Sequence, residues 1–219
     1  RGIRVSTWLA MYTYAVPQVD RVSFVSLAQT DVLHAEVVHT SQLRARVEQC
    51  LHSREPLAIV QAVSEYLPYL LGLYDCVLRD TILLRDDVHL TWHSMLVSSK
   101  FRLHGLLSEV CLMHMLYASS LRAEAATIVE ALGAYELGAH DRKACDDRLR
   151  VAIDLLCRAS GVCEYVATQL LPTYPAPPSK SAYPPELVSE GVQACSKLAM
   201  ADAHALAIRK LLVPYARHH

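Results

Sequence analysis

The residues whose spacing comes nearest to a reactive site are His89 and His93, in the run His89-Leu90-Thr91-Trp92-His93. On a helix, positions i and i+4 share a face, the arrangement by which paired imidazoles hold zinc in metalloproteases. The glutamate that acts as general base in that motif follows the first histidine, and here that position is Leu90. The pattern predicts surface or packed histidines and no metal site. His34 and His39, five apart, fit one helix face less well. The carboxylate pairs Asp86-Asp87 and Asp146-Asp147 are adjacent in sequence, so they point to different sides and share no proton. They are expected to be solvated or to favour helix N-termini. Seven cysteines, at 50, 76, 111, 145, 157, 163 and 195, form no CxxC pair and carry no local signature of a nucleophile. With only 7 glycines, neither phosphate-cradling glycine motif is present. No catalytic residues and no cofactor are expected.

Composition narrows the class further. The 219 residues carry 21 Lys+Arg against 22 Asp+Glu, which excludes a strongly basic nucleic-acid-binding chain. An apolar share of 53% is enough to build a core and too high for a disordered segment. The odd, scattered cysteines predict free thiols in a reducing, cytoplasmic compartment. Glu109 and His114 interrupt the greasiest stretch, around residues 106–118, so no transmembrane segment is expected. The chain begins at Arg1 and shows no signal-peptide pattern, and it reads as a fragment.

Periodicity places the elements that must carry any function. Residues 1–30 are rich in Val, Ser, Thr and Tyr, and Val22 to Leu27 partly alternates, predicting a short extended segment. Leu43, Val47, Cys50 and Leu51 predict a helix over about 40–53 capped by Thr40 or Ser41. Pro56 opens a second helix with a stripe from Leu57 to Tyr74, which Pro68 should kink or divide. Residues 83–91 read as a connection, with Trp92 as an anchor. A Pro-free run over about 102–137 is apolar on more than one face and predicts a central helix. A further helix is predicted from Leu149 to Val166 and an Ala-rich one from Leu187 to Leu212. Six of the ten prolines fall in 172–185 and predict a loop between them.

Four segments in order resemble the Bro-type domain, the boomerang-shaped helical domain of Alix and its fungal relatives. Ser64-Glu65-Tyr66-Leu67-Pro68-Tyr69-Leu70-Leu71-Gly72-Leu73 is similar to the motif of its PalC branch. Leu90-Thr91-Trp92 with Gly105-Leu106-Leu107-Ser108-Glu109-Val110 resembles the entry to the long central helix, and Val151 to Val166, with Arg158-Ala159-Ser160-Gly161, the helix that follows. Ala194 to His204 is similar to the helix that usually reads Leu-Ala-Gln-Ala-Gln-Glu, with Met200, Asp202 and Ala203 in place of its polar residues. The resemblance implies an all-α, elongated bundle of long antiparallel helices over 21–213, incomplete at its C-terminal end, with 1–20 upstream and 214–219 as a tail.

It also implies a non-enzymatic scaffold of the fungal alkaline-pH (Pal/Rim) pathway. Such a protein binds the amphipathic C-terminal helix of an ESCRT-III filament subunit at the plasma membrane or endosome. There it helps gather the calpain-like protease that activates a PacC-type transcription factor. The family's binding patch maps onto Asp146 and, on the last helix, onto Ala205, Leu206, Ile208, Leu211 and Leu212. Tyr183-Pro184-Pro185-Glu186-Leu187 resembles, with one extra residue, the YP-x-L peptides that Alix-like proteins recognise, but a plain loop and helix start accounts for it better. A PalA-like ESCRT adaptor is the alternative, and a helical hydrolase using His89 and His93 a distant third.

Overall fold

The computed structural model describes residues 11–29, 32–133, 142–175 and 182–212. Five helices carry it: α1 (His34–Ser53), α2 (Pro56–Leu78), α3 (Leu106–Leu132), α4 (Arg142–Tyr165) and α5 (Ser189–Leu212). One hairpin interrupts them, β1 (His89–His93) with β2 (Lys100–His104). In bulk the fold is all-α, and each helix packs on its neighbour in sequence.

Side-chain contacts give the directions. Along α1 and α2, His39 stacks edge-on against Tyr69 while Arg46, further on, pairs with Glu65, further back, so the two helices run antiparallel. The α3–α4 pair shows the same order, with His114 beside Tyr165 and Tyr117 beside Arg158. Ser160 and Ser196 meet at 2.9 Å between α4 and α5. A main core is built on α1, α2, the hairpin, the first half of α3, the end of α4 and the start of α5. A second cluster joins the end of α3, the start of α4 and the end of α5 through Ala125, Val129, Leu149, Leu156, Ala203 and Leu206.

The central helix is central because almost every residue from Leu106 to Leu116 is buried, around its whole circumference. Its first turn carries Glu109, 1% exposed, which pairs with Arg44 of α1, also 1% exposed, and accepts the Tyr66 hydroxyl at 3.3 Å. Arg44 also donates to the Asp20 carbonyl at 3.2 Å. Burial is the largest single influence on Arg44 and pulls its pKa down, but the charge and hydrogen bond of Glu109, together with Tyr66 and Glu48, outweigh it and keep the guanidinium charged. Burial, reinforced by the same carboxylate, pushes the Tyr66 phenol well up. Three helices are thus pinned through one carboxylate.

Several boundaries differ from those expected. α1 starts six residues before Thr40, because the Thr40 and Ser41 hydroxyls bond back to Glu36 O (2.7 Å) and Val37 O (3.0 Å) instead of capping. Pro68 sits inside one continuous α2. Between Val22 and Leu27 the chain turns at Phe24, whose carbonyl accepts the Leu27 and Ala28 N–H groups, and the extended pairing is confined to single bridges, Val19 with Trp92 and Ala28 with Leu84. α4 ends before Pro172 in a π turn over Val166–Leu170.

The connection expected over 83–91 and the first residues assigned to the central helix instead form the hairpin. Leu90, Trp92 and Leu103 face inward, and His89, Lys100, Arg102 and His104 outward. His89 and His93 are therefore not one turn apart on a helix. They lie about 13 Å apart along a strand, at about 3.3 Å per residue, too far to share one ion, and the hydrolase reading falls with that.

α2, and not the region around 106–118, is the most membrane-like segment. Its length and mean hydropathy of 1.2 would let it cross a bilayer, yet 44% of that stretch is buried against the rest of the chain. A core helix between two others needs the same composition.

Candidate helix-docking surface

α5 is apolar on two faces, and that shapes the candidate surface. Its inner face, Val192, Cys195, Ala199, Ala203 and Leu206, is buried. Ala194, Leu198, Ala201, Ala205 and Ile208 recur every three or four residues on the opposite side. Among these Leu198 is 37% and Ile208 54% exposed, and Leu211 flanks the line at 70%. A helix that is apolar all round is ordinarily covered on both sides. Two inward ties hold α5 in this rotation. Arg122 of α3 pairs with Asp202, and Arg209, 7% exposed, donates to the Gly133 carbonyl at the end of α3. Lys197 and His204 stand exposed along one edge of the outer line.

The positions taken from the family pattern do not all meet. Ala205 is half-buried on the outer line, with Ile208 and Leu211 exposed near it. Leu206, one residue and about 100° further round, is fully buried against Leu149, Ala152 and Val129. It is a core residue, and no single ligand can touch both it and Ile208 while α5 stays seated. The Leu212 side chain lies outside the described residues. Asp146 is not ahead of a helix but within the first turns of α4, half-buried. Leu149, one turn later, packs on Leu206, so Asp146 lies at the same end of the bundle as Ile208.

The peptide-like run Tyr183 to Leu187 is not offered to a partner. Pro184, Glu186 and Leu187 are buried. Glu186, 0% exposed, accepts the Ser94 hydroxyl at 2.8 and 3.0 Å, the Met95 N–H, and the Trp92 indole N–H at 3.5 Å. This carboxylate locks the 3-10 turn Pro185–Leu187 to the hairpin, and nothing in its spacing announced it. A concave apolar site lies elsewhere, between α1 and α2: a cavity of about 190 Å³ lined by Leu33, Val37, Pro68, Tyr69, Leu73 and Ile82.

No family model matches the chain. Over 235 aligned positions, covering 93% of this chain, it is 30% identical to the pH-response regulator protein palC of Cryptococcus neoformans. The chain is similar to a pH-response regulator. It spans about half, 48%, of that protein's length. The alignment takes in all five helices and the hairpin in large part, so the likeness to palC is not carried by one motif.

The cysteines bear on how the surface can be probed. All seven are free thiols, with Cys157 exposed and Cys111, Cys163 and Cys195 buried. Burial pushes the Cys111 and Cys163 thiols up to about 12. At pH 8 a thiol reagent is expected to label Cys157 roughly a hundredfold faster than Cys111 or Cys163, since only thiolate reacts. Mass-resolved labelling checks this, and simultaneous modification of all three would contradict the packing of α3 against α4.

Proposed function

We propose that this chain is the Bro-type helical part of a non-enzymatic scaffold in fungal alkaline-pH signalling. In this reading it binds the amphipathic C-terminal helix of an ESCRT-III filament subunit. It thereby helps assemble the calpain-like protease that activates a PacC-type transcription factor, acting in the cytoplasm and at the plasma-membrane or endosome surface. The observation that carries the reading is the 30% identity to palC across nearly the whole chain. The five-helix array and the second apolar face of α5 support it.

The interaction would be helix-in-groove recognition, in which apolar side chains at i, i+3, i+4 and i+7 of the visitor lie along an apolar line. Ala205, Ile208 and Leu211 supply that line, extended by Leu198 and Ala201, with Asp146 as a polar fixture at its end. Leu206 supports it from inside, and Lys197 and His204 suit a partner helix with acidic residues at its flank. Such a surface works by shape and register and needs no reacting group.

A pull-down with the filament subunit tests this. Ile208→Asp puts a charge on the outer line and is expected to weaken binding by several-fold to a hundredfold, about 1–3 kcal/mol. Folding should be untouched, because the side chain is already half in water. Equal retention of wild type and a folded Ile208→Asp protein would overturn the assignment of the face.

A further inference from the structure

The hairpin holds a side-chain pair that the proposed function does not use. His89 and His104 are directly opposed in the β1–β2 register, both exposed. Their Nδ1 atoms are 2.7 Å apart and their rings stand nearly perpendicular, at 86°, with centroids 4.7 Å apart. Two ring nitrogens this close across a ladder rung have two uses, depending on which nitrogens carry the hydrogens. One ring can donate a proton to the other, or both can face one cation.

From this geometry we infer that His89 and His104 form a two-histidine site for a divalent transition-metal ion of the nickel, copper and zinc group. Metal–nitrogen bonds of about 2.0–2.1 Å put two ligand atoms about 2.9 Å apart at a 90° angle and about 3.3 Å apart at a tetrahedral one. The nitrogens need to separate by a few tenths of an ångström for the first of these, with the exposed rings turning so that both lone pairs converge on the ion, which favours the right-angled ligand sets of nickel and copper. The strands supply the rigidity. Gly105 N–H donates to the Val88 carbonyl at 2.9 Å, closing the rung from one side, while the Leu90–Leu103 pair beside it is buried.

Asp87 adds a negative charge at the same end. Its Oδ1 accepts the Val88 N–H at 2.9 Å and lies 3.9 Å from where a Cβ on Gly105 would stand. Among the described residues no group of three His, Cys, Asp or Glu side chains converges, so the remaining positions on the ion would be filled by water. When a neutral pair takes the ion, the shared proton moves to Nε2 of its own ring, and none is released. At the other end of the hairpin His93 faces Lys100, whose charge repels a cation, so the site is confined to the first rung.

Calorimetric titration of the full chain with nickel(II) tests the site, nickel being chosen because copper(II) would oxidise the exposed Cys157. If the two imidazoles act as one chelate, His89→Ala and His104→Ala each weaken binding at this site at least tenfold, and the double variant loses no more than either. His93→Ala leaves it unchanged. Single losses that add in the double variant, or affinities within twofold of wild type, would overturn the proposal. Thermal melts without metal verify that all variants fold, and both side chains being exposed, they should.

Discussion

Glu109→Leu is expected to destabilise the chain by about 3–5 kcal/mol, the largest effect of any single substitution considered. Leucine fits the apolar surroundings of the first turn of α3, so little of that loss comes from a cavity. What it leaves is the Arg44 guanidinium, 1% exposed, with its counter-charge gone and one remaining bond to the Asp20 carbonyl. The Tyr66 hydroxyl loses its acceptor as well. Denaturant unfolding measures the loss. The double variant Arg44→Met/Glu109→Leu is expected to recover most of it, since replacing both members of a buried pair by apolar groups is often neutral or better. A double variant no more stable than Glu109→Leu alone would mean that the carboxylate supports α3 in some other way.

The second large effect is at Glu186. Glu186→Ala removes the acceptor for the Ser94 hydroxyl, the Met95 N–H and the Trp92 indole. Leaving buried donors unpaired costs about 1–3 kcal/mol, and several are affected, so a loss near the top of that range is expected. The hairpin should also come away from the start of α5. Gly191→Ala reaches the same junction by another route: a Cβ there would stand 2.2 Å from the Pro185 carbonyl oxygen, a backbone atom no rotamer can move. Overpacking of this kind typically costs about 1–3 kcal/mol. Hydrogen exchange should show residues 92–97 opening faster in both variants. Protection unchanged in Glu186→Ala would contradict the carboxylate's role as a lock.

The helices were readable from the chain because their signal is long. Leu43, Val47 and Leu51, or Leu149, Leu156 and Cys163, repeat over several turns, and each inward position proved buried. The hairpin was not, because two five-residue strands give only two or three alternations each, and His89 to His93 fits a helical spacing as well as an extended one. Glu109 and Glu186 are charged residues that sequence reasoning sends to the surface. Only their partners, 43 and 65 positions away for Glu109 and 91–94 for Glu186, make their burial tolerable. Of the positions carried over from the family pattern, Leu206 and Ile208 point about 160° apart on α5, and sequence alone could not say which of them looks inward. The His89–His104 pair depends on strand register, which no spacing in the chain reveals.

The proposed role requires the outer line of α5 to receive an amphipathic helix, and a methyl-resolved NMR titration with that helix as a synthetic peptide tests it most directly. Saturating shifts at Leu198, Ile208 and Leu211, with Leu57 on α2 unmoved, are the predicted result. Shifts centred on Leu33, Val37 and Leu73 at the α1–α2 cavity, with the α5 methyls still, would contradict it.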